Sequence, residues 1–119
     1  MFKVEDSFIY LTRGDTAYLE IELEDDEKFN AGDKIVLSIK RSLTNDAQYV
    51  LQKEVNINTE VESVTIKIEP EDTANISYGL YYYDVQLTKN NGDVFTIITP
   101  DSQEAKQNFK LLKEVTRNE

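Results

Sequence analysis

Apolar and polar residues alternate with a period of two along most of the chain. That is the signature of strands with one buried and one wet face, and it is incompatible with the 3.6-residue stripe of a helix. The pattern is sharpest over residues 16–24, where Ala17, Leu19, Ile21 and Leu23 share one face while Tyr18, Glu20, Glu22 and Glu24 share the other. It predicts further strands over 33–41, with Ile35, Leu37 and Ile39 inward, and over 62–69, with Val64, Ile66 and Ile68 inward. Residues 7–12 and 48–57 are rich in β-branched and aromatic side chains without clean alternation, so strands are expected there with their register open. A long strand over 80–89 puts Tyr81, Tyr83, Val85 and Leu87 on one face. Asn90, Asn91, Gly92 and Asp93 then supply a hairpin turn, Asn91 and Gly92 being residues that tolerate positive φ. The returning strand covers 94–99 and stops at Pro100, which has no N–H for the ladder. A polar stretch over 101–107 reads as an exposed loop or one helical turn. A last strand over 108–115 carries Phe109, Leu111 and Val115.

About eight short strands separated by turn signals point to two packed layers rather than a parallel sheet with crossover helices. The expected fold is all-β, an immunoglobulin-like antiparallel β-sandwich of about seven to nine strands. A chain of 119 residues supports one hydrophobic core, so residues 1–119 are expected to form a single domain. Hydrophobic residues make up 39% of it, with two prolines and four glycines, which is a globular composition. Without cysteine the sandwich stands on packing alone, and thiolate metal sites and thiol nucleophiles are excluded. The absence of histidine removes the commonest general base and the usual zinc ligand. No cofactor, no metal and no catalytic residue is expected, and the chain reads as not an enzyme.

Charge narrows the partners. Against 13 basic residues stand 23 acidic ones, and the net charge of −10 repels phosphate backbones and anionic lipid surfaces. Nucleic acid and membrane are therefore not expected partners. The start, Met1, Phe2, Lys3, Val4 and Glu5, lacks the basic and apolar regions of a secretory signal. Synthesis in the cytoplasm is expected, which is compatible with later incorporation into a virion.

Several constellations invite chemistry and have plainer explanations. Gly14–Asp15, Gly32–Asp33 and Gly92–Asp93 each precede a strand, and turn glycines with aspartates bonding local backbone amides account for them better than a cation site does. Arg13, Gly14 and Asp15 spell an adhesion tripeptide, a match short enough to arise by chance. The acidic run Glu24, Asp25, Asp26 and Glu27 lacks the spaced ligands of a calcium loop and reads as a solvated, self-repelling loop. Paired carboxylates of the glycosidase kind can be found at any spacing among so many acids, so they carry little weight. Of the cluster Tyr78, Tyr81, Tyr82 and Tyr83, alternation turns Tyr82 outward, with Tyr78 the second candidate for a surface contact such as sugar stacking.

The most informative constellation is Glu71, Asp72, Thr73 and Ala74 ahead of Gly79, Tyr81 and Tyr83. In immunoglobulin-like domains a turn of this type precedes a strand whose early tyrosine bonds back to upstream backbone. Tyr81 is then either that corner tyrosine or a core aromatic without the bond.

The opening Ile9 to Thr16, the middle Pro70, Glu71, Asp72 and Thr73 before Gly79 and a tyrosine-rich strand, and the ending Phe109 to Arg117 resemble small β-sandwich proteins of phages and prophages of Gram-positive bacteria. These are encoded among tail and baseplate genes and include the amino-terminal domain of baseplate upper proteins. The resemblance implies a noncatalytic structural or protein-interaction module with other proteins as partners, phage tail or baseplate subunits among them, and often a homo-oligomer. It carries over no catalytic or ligand residue. A carbohydrate- or cell-surface-binding sandwich using Tyr82 and Tyr78 is the alternative function.

Overall fold

The computed structural model describes residues 3–5, 8–44, 47–100 and 106–116. Along them run β1 (Lys3–Glu5), β2 (Phe8–Thr12), β3 (Ala17–Glu22), β4 (Lys34–Lys40), β5 (Tyr49–Asn56), β6 (Ser63–Ile68), a one-turn helix α1 (Pro70–Ala74), β7 (Gly79–Thr88), β8 (Val94–Ile98) and β9 (Phe109–Leu112). Seven strands form one sheet in the order β1-β2-β9-β7-β4-β5 with β8 added on β7, and β3 with β6 forms the second sheet. The chain is all-β and sandwich-like, as its alternation requires. Its division into β3–β6 against β9–β7–β4–β5 is the B–E against G–F–C–C′ division of an immunoglobulin-type sandwich. Among the described residues no helix is long and apolar enough to cross a membrane.

The core lies between the inner faces. Leu19 sits opposite Ile66 in the small sheet. Together with Ala17, Ile21, Val64 and Ile68 they are buried against Ile35, Leu37, Ile39, Tyr81, Tyr83, Val85 and Leu87. Every one of these residues was placed inward by the period of two. The two open registers close as well. Ile9 and Leu11 of β2 are fully buried, while in β5 Leu51 and Val55 pair with Ile39 and Ile35 and pack half-buried on the core. Phe109 stands edge-on to both Tyr81 and Tyr83, with ring centroids 6.3 Å away in each case. Such pairs add about 0.5–1.5 kcal/mol beyond their area burial.

Three features depart from expectation. First, β2 and β9 run parallel, Ile9 beside Phe109 and Leu11 beside Leu111, while the other pairings are antiparallel. A parallel pair needs a long crossover, and here the rest of the sandwich serves as one.

Second, the final strand spans only Phe109–Leu112, and Val115 is fully exposed. Both neighbours run out at this point: β2 ends at Thr12 opposite Leu112, and β7 begins at Gly79 opposite Leu111. Third, residues 70–74, for which the sequence predicts only a turn, form one turn of helix. Pro70 supplies a preset φ at its start, and the Asp72 carboxylate accepts the Glu69 N–H at 2.7 Å. Of the polar stretch 101–107, residues 101–105 lie outside the described residues.

One edge of β7 carries two strands in succession. Val85–Thr88 pair with β8 and Gly79–Tyr81 with β9. Between them Asn108 stands in for a strand: its amide Nδ2 donates to the Tyr83 carbonyl at 2.9 Å and its Oδ1 accepts the Tyr83 N–H at 2.8 Å. A buried carboxamide thus completes the ladder where the backbone leaves it.

Candidate functional site

Residues of β4, β5 and β7 that point away from the core shape a groove of about 350 Å³ on the outer face of the large sheet. Tyr82, half-buried, lines it beside Ser38, Lys40, Tyr49, Gln52 and Asp84. The alternation that buries Tyr81 and Tyr83 is what turns Tyr82 and Asp84 to this side. A register shift between Ile39 and Lys40 brings Tyr49 opposite Lys40, and the ammonium lies 4.7 Å from the Tyr49 ring centroid. Gln52 donates to Ser38 Oγ at 3.0 Å. Burial pushes the Asp84 carboxyl above its ordinary value, and the charge of Lys40 offsets part of that. Among the described residues its carboxylate meets no hydrogen-bond or ion-pair partner, and its chemistry is that of an acceptor. Two tyrosine rings beside amide, hydroxyl and carboxylate groups can hold a flat polar ligand.

Tyr78 is elsewhere. It lies half-exposed at the turn before β7, with the Arg13 guanidinium 5.5 Å and the Lys113 ammonium 5.7 Å from its ring centroid. It does not line the groove, so the two candidate contact tyrosines do not form one platform. At the same turn Tyr81 is the corner tyrosine: its hydroxyl donates to the carbonyl of Ser77, four residues upstream, which decides between the two readings of that residue. Arg13 is committed to structure as well. Its guanidinium forks onto Glu114, with Nε to Oε2 at 2.9 Å and Nη2 to Oε1 at 2.8 Å, and Nη1 donates to the Ile76 carbonyl at 3.3 Å. The guanidinium of the adhesion-like tripeptide is therefore a clamp between the ends of β2 and β9.

At the opposite end of the sandwich Asp33 is buried and joins two loops. One carboxylate oxygen accepts the Asn30 N–H at 2.9 Å and the Lys89 ammonium at 2.7 Å, and the other accepts the Asn90 N–H at 3.0 Å. Burial alone would raise this carboxyl, but those donors outweigh it and hold the group below its ordinary value. Gly32 has to be glycine here. Its φ is +90°, and a Cβ would stand 3.0 Å from that of Asn90.

Of the hairpin pair only Gly92 takes positive φ, in a turn closed by its N–H on the Lys89 carbonyl at 2.9 Å, and Asn91 does not. The acidic run is an exposed turn, as expected, with Glu27 N–H on the Glu24 carbonyl at 3.2 Å. Asp25 and Asp26 both adopt positive φ, 58° and 57°, a left-handed turn made without glycine. Among the described residues no three acidic side chains converge as a metal site would require.

Sequence reasoning found Tyr82 but not its neighbours Tyr49 and Asp84. The outward positions of β7 were legible, whereas the one-residue shift that aligns Tyr49 with Lys40 leaves no signal in an irregular strand. No protein-family model matches the sequence, and no curated protein matches it either.

Proposed function

We propose that this chain is a noncatalytic protein-interaction module, a structural component of a phage or prophage tail or baseplate. It is made in the cytoplasm and incorporated into the particle beside other tail proteins or further copies of itself. The observation that carries the interaction reading is that the edge strands β5 and β8 of the large sheet present large apolar side chains, with Tyr49 53%, Val94 56% and Phe95 52% exposed. The motif resemblance around Ile9–Thr16, Pro70–Thr73 and Phe109–Arg117 supplies the setting. Proteomics on purified tail particles from the producing strain tests the assignment. The chain is expected in stoichiometric amount, and its absence from the particles overturns the assignment.

The groove favours a second reading, a carbohydrate-binding sandwich, because Tyr82 and Tyr49 flank polar groups in one concavity. A glycan array then shows binding that Tyr82→Ala abolishes. Binding that survives the substitution, or none at all, removes this reading.

A further inference from the structure

Beside β8 the sandwich is left open. The strand pairs with β7 on one side and, among the described residues, with nothing on the other, so a row of backbone donors and acceptors faces outward. Phe95 sits opposite Leu87 and therefore points to the inner side of the sheet, where the small sheet does not reach far enough to cover it. The result is a cleft of about 690 Å³ between β8 and the end of β3, floored by Leu23, Leu87, Phe95 and Ile97. Glu22, Glu24, Asp25, Glu27 and Asp93 line the same cleft, and among the described residues Lys89 is its one basic residue. That lysine is already neutralised by its 2.7 Å contact with Asp33. An apolar floor, an unpaired strand edge and an acidic rim thus occupy one place.

We infer that this cleft receives an extended, basic segment of a partner protein, which adds to β8 as a further strand. Its apolar side chains lie on Phe95 and Ile97, and its lysines or arginines lie against the acidic rim. An unpaired strand edge is matched by polypeptide backbone, which main-chain hydrogen bonds hold in register. The rim sets the sign of the partner's charge and thereby its identity. A second copy of this chain, carrying −10 overall and the same five acids, would meet like charge at close range. The proposal rests on the protein-interaction reading and gives it a surface and a partner chemistry. It does not depend on the particle assignment, since strand addition can be measured on the isolated chain.

The probe is a short blocked peptide alternating lysine and valine, with two controls: the glutamate–valine counterpart, and the lysine peptide N-methylated at alternate residues so that it cannot pair. Titration into the labelled protein, followed by amide hydrogen exchange, is expected to protect the outward-facing amides within Val94–Ile98, those not already bonded to β7, with the lysine peptide alone. Phe95→Ser replaces a side chain that is half-exposed in the folded chain, so the fold is retained while affinity falls at least about tenfold. Glu24→Lys with Glu27→Lys, on an exposed turn, weakens binding by a similar factor, and salt weakens the parent complex in the same direction.

Lack of binding overturns the proposal, as does equal binding of the glutamate or N-methylated peptide, or protection confined to β5. Self-association of the free protein through the β8 amides assigns the edge to a second copy and overturns it too. Failure of the peptide leaves particle incorporation through another edge intact, and absence from particles leaves the peptide result intact, so the two claims fail separately.

Discussion

The two strands that share one edge of β7 are opposites. β9 is paired on both sides, parallel to β2 and antiparallel to β7, and its Phe109 and Leu111 are buried. Among the described residues β8 is paired on one side only, and Val94 and Phe95 are more than half exposed. Both are short and apolar, so composition does not separate them. Coverage does: β9 lies under the small sheet at the centre of the sandwich, and β8 lies beyond its margin. One sequence pattern thus yields a structural strand where a second layer covers it and a strand available for recognition where none does.

The sharpest way to break the contrast is to remove the β9 anchor. Phe109→Ala deletes a fully buried ring that contacts two others, and a loss of about 3–5 kcal/mol in chemical denaturation is expected. Asn108→Ala comes next. It orphans the Tyr83 N–H and carbonyl in the core, and a loss of about 2–3 kcal/mol should follow, with faster exchange at Tyr83 as the local readout.

The root of β8 is held differently, by charge. Because the Asp33 carboxyl is held below its ordinary value in the folded state, its stabilisation is fully present above about pH 4 and is lost as pH falls through the depressed value. Melting temperature measured against pH should therefore fall more steeply on the acid side in the parent than in Asp33→Asn. The Asp72 carboxyl, held down by Lys53 at 2.8 Å and by the Glu69 N–H, contributes in the same sense and remains in that variant. A flattened but not flat acid limb is the expected result, and identical limbs would show that the Asp33 tie does not matter.

Beside β9 the corner bond is a smaller matter. Tyr81→Phe keeps the buried ring and loses one hydroxyl bond, for about 1 kcal/mol. Least costly is Phe95→Ser, expected within about 0.5 kcal/mol of the parent because the ring is already half in water. If that substitution cost as much as Phe109→Ala, the distinction between the two strands would collapse.

Alternation made the fold legible because a period of two is strict wherever one face is buried: Ala17, Leu19, Ile21, Val64, Ile66 and Ile68 left no choice of register. It failed where the constraint comes from far away in sequence. Nothing local distinguishes Val115 from Leu111; what ends β9 is that its neighbours end, near residues 12 and 79. The turn chemistry was half legible. Gly92 announced positive φ, while Asp25 and Asp26 adopt it without glycine; aspartate tolerates that conformation better than most side chains, but two in succession inside an acidic run were read only as a solvated loop. Of the candidate sites, Tyr82 was readable from its parity on β7, and the cleft at β8 was not. Its rim and floor come from β3, β7, β8 and the loops after β3 and β7, which only the folded sandwich brings together.

The parallel seam between β2 and β9 sets an order of events. Ile9 cannot take its place in the sheet until Phe109 has taken its own, because β9 lies between β2 and the rest of the sheet. Until β9 is made, β2 has β1 as its strand partner, and its link to the rest of the sheet runs through β9. A pairing between strands that far apart in sequence raises the contact order, the property that goes with slower folding. The Arg13–Glu114 fork ties together the two strand ends at which that seam finishes.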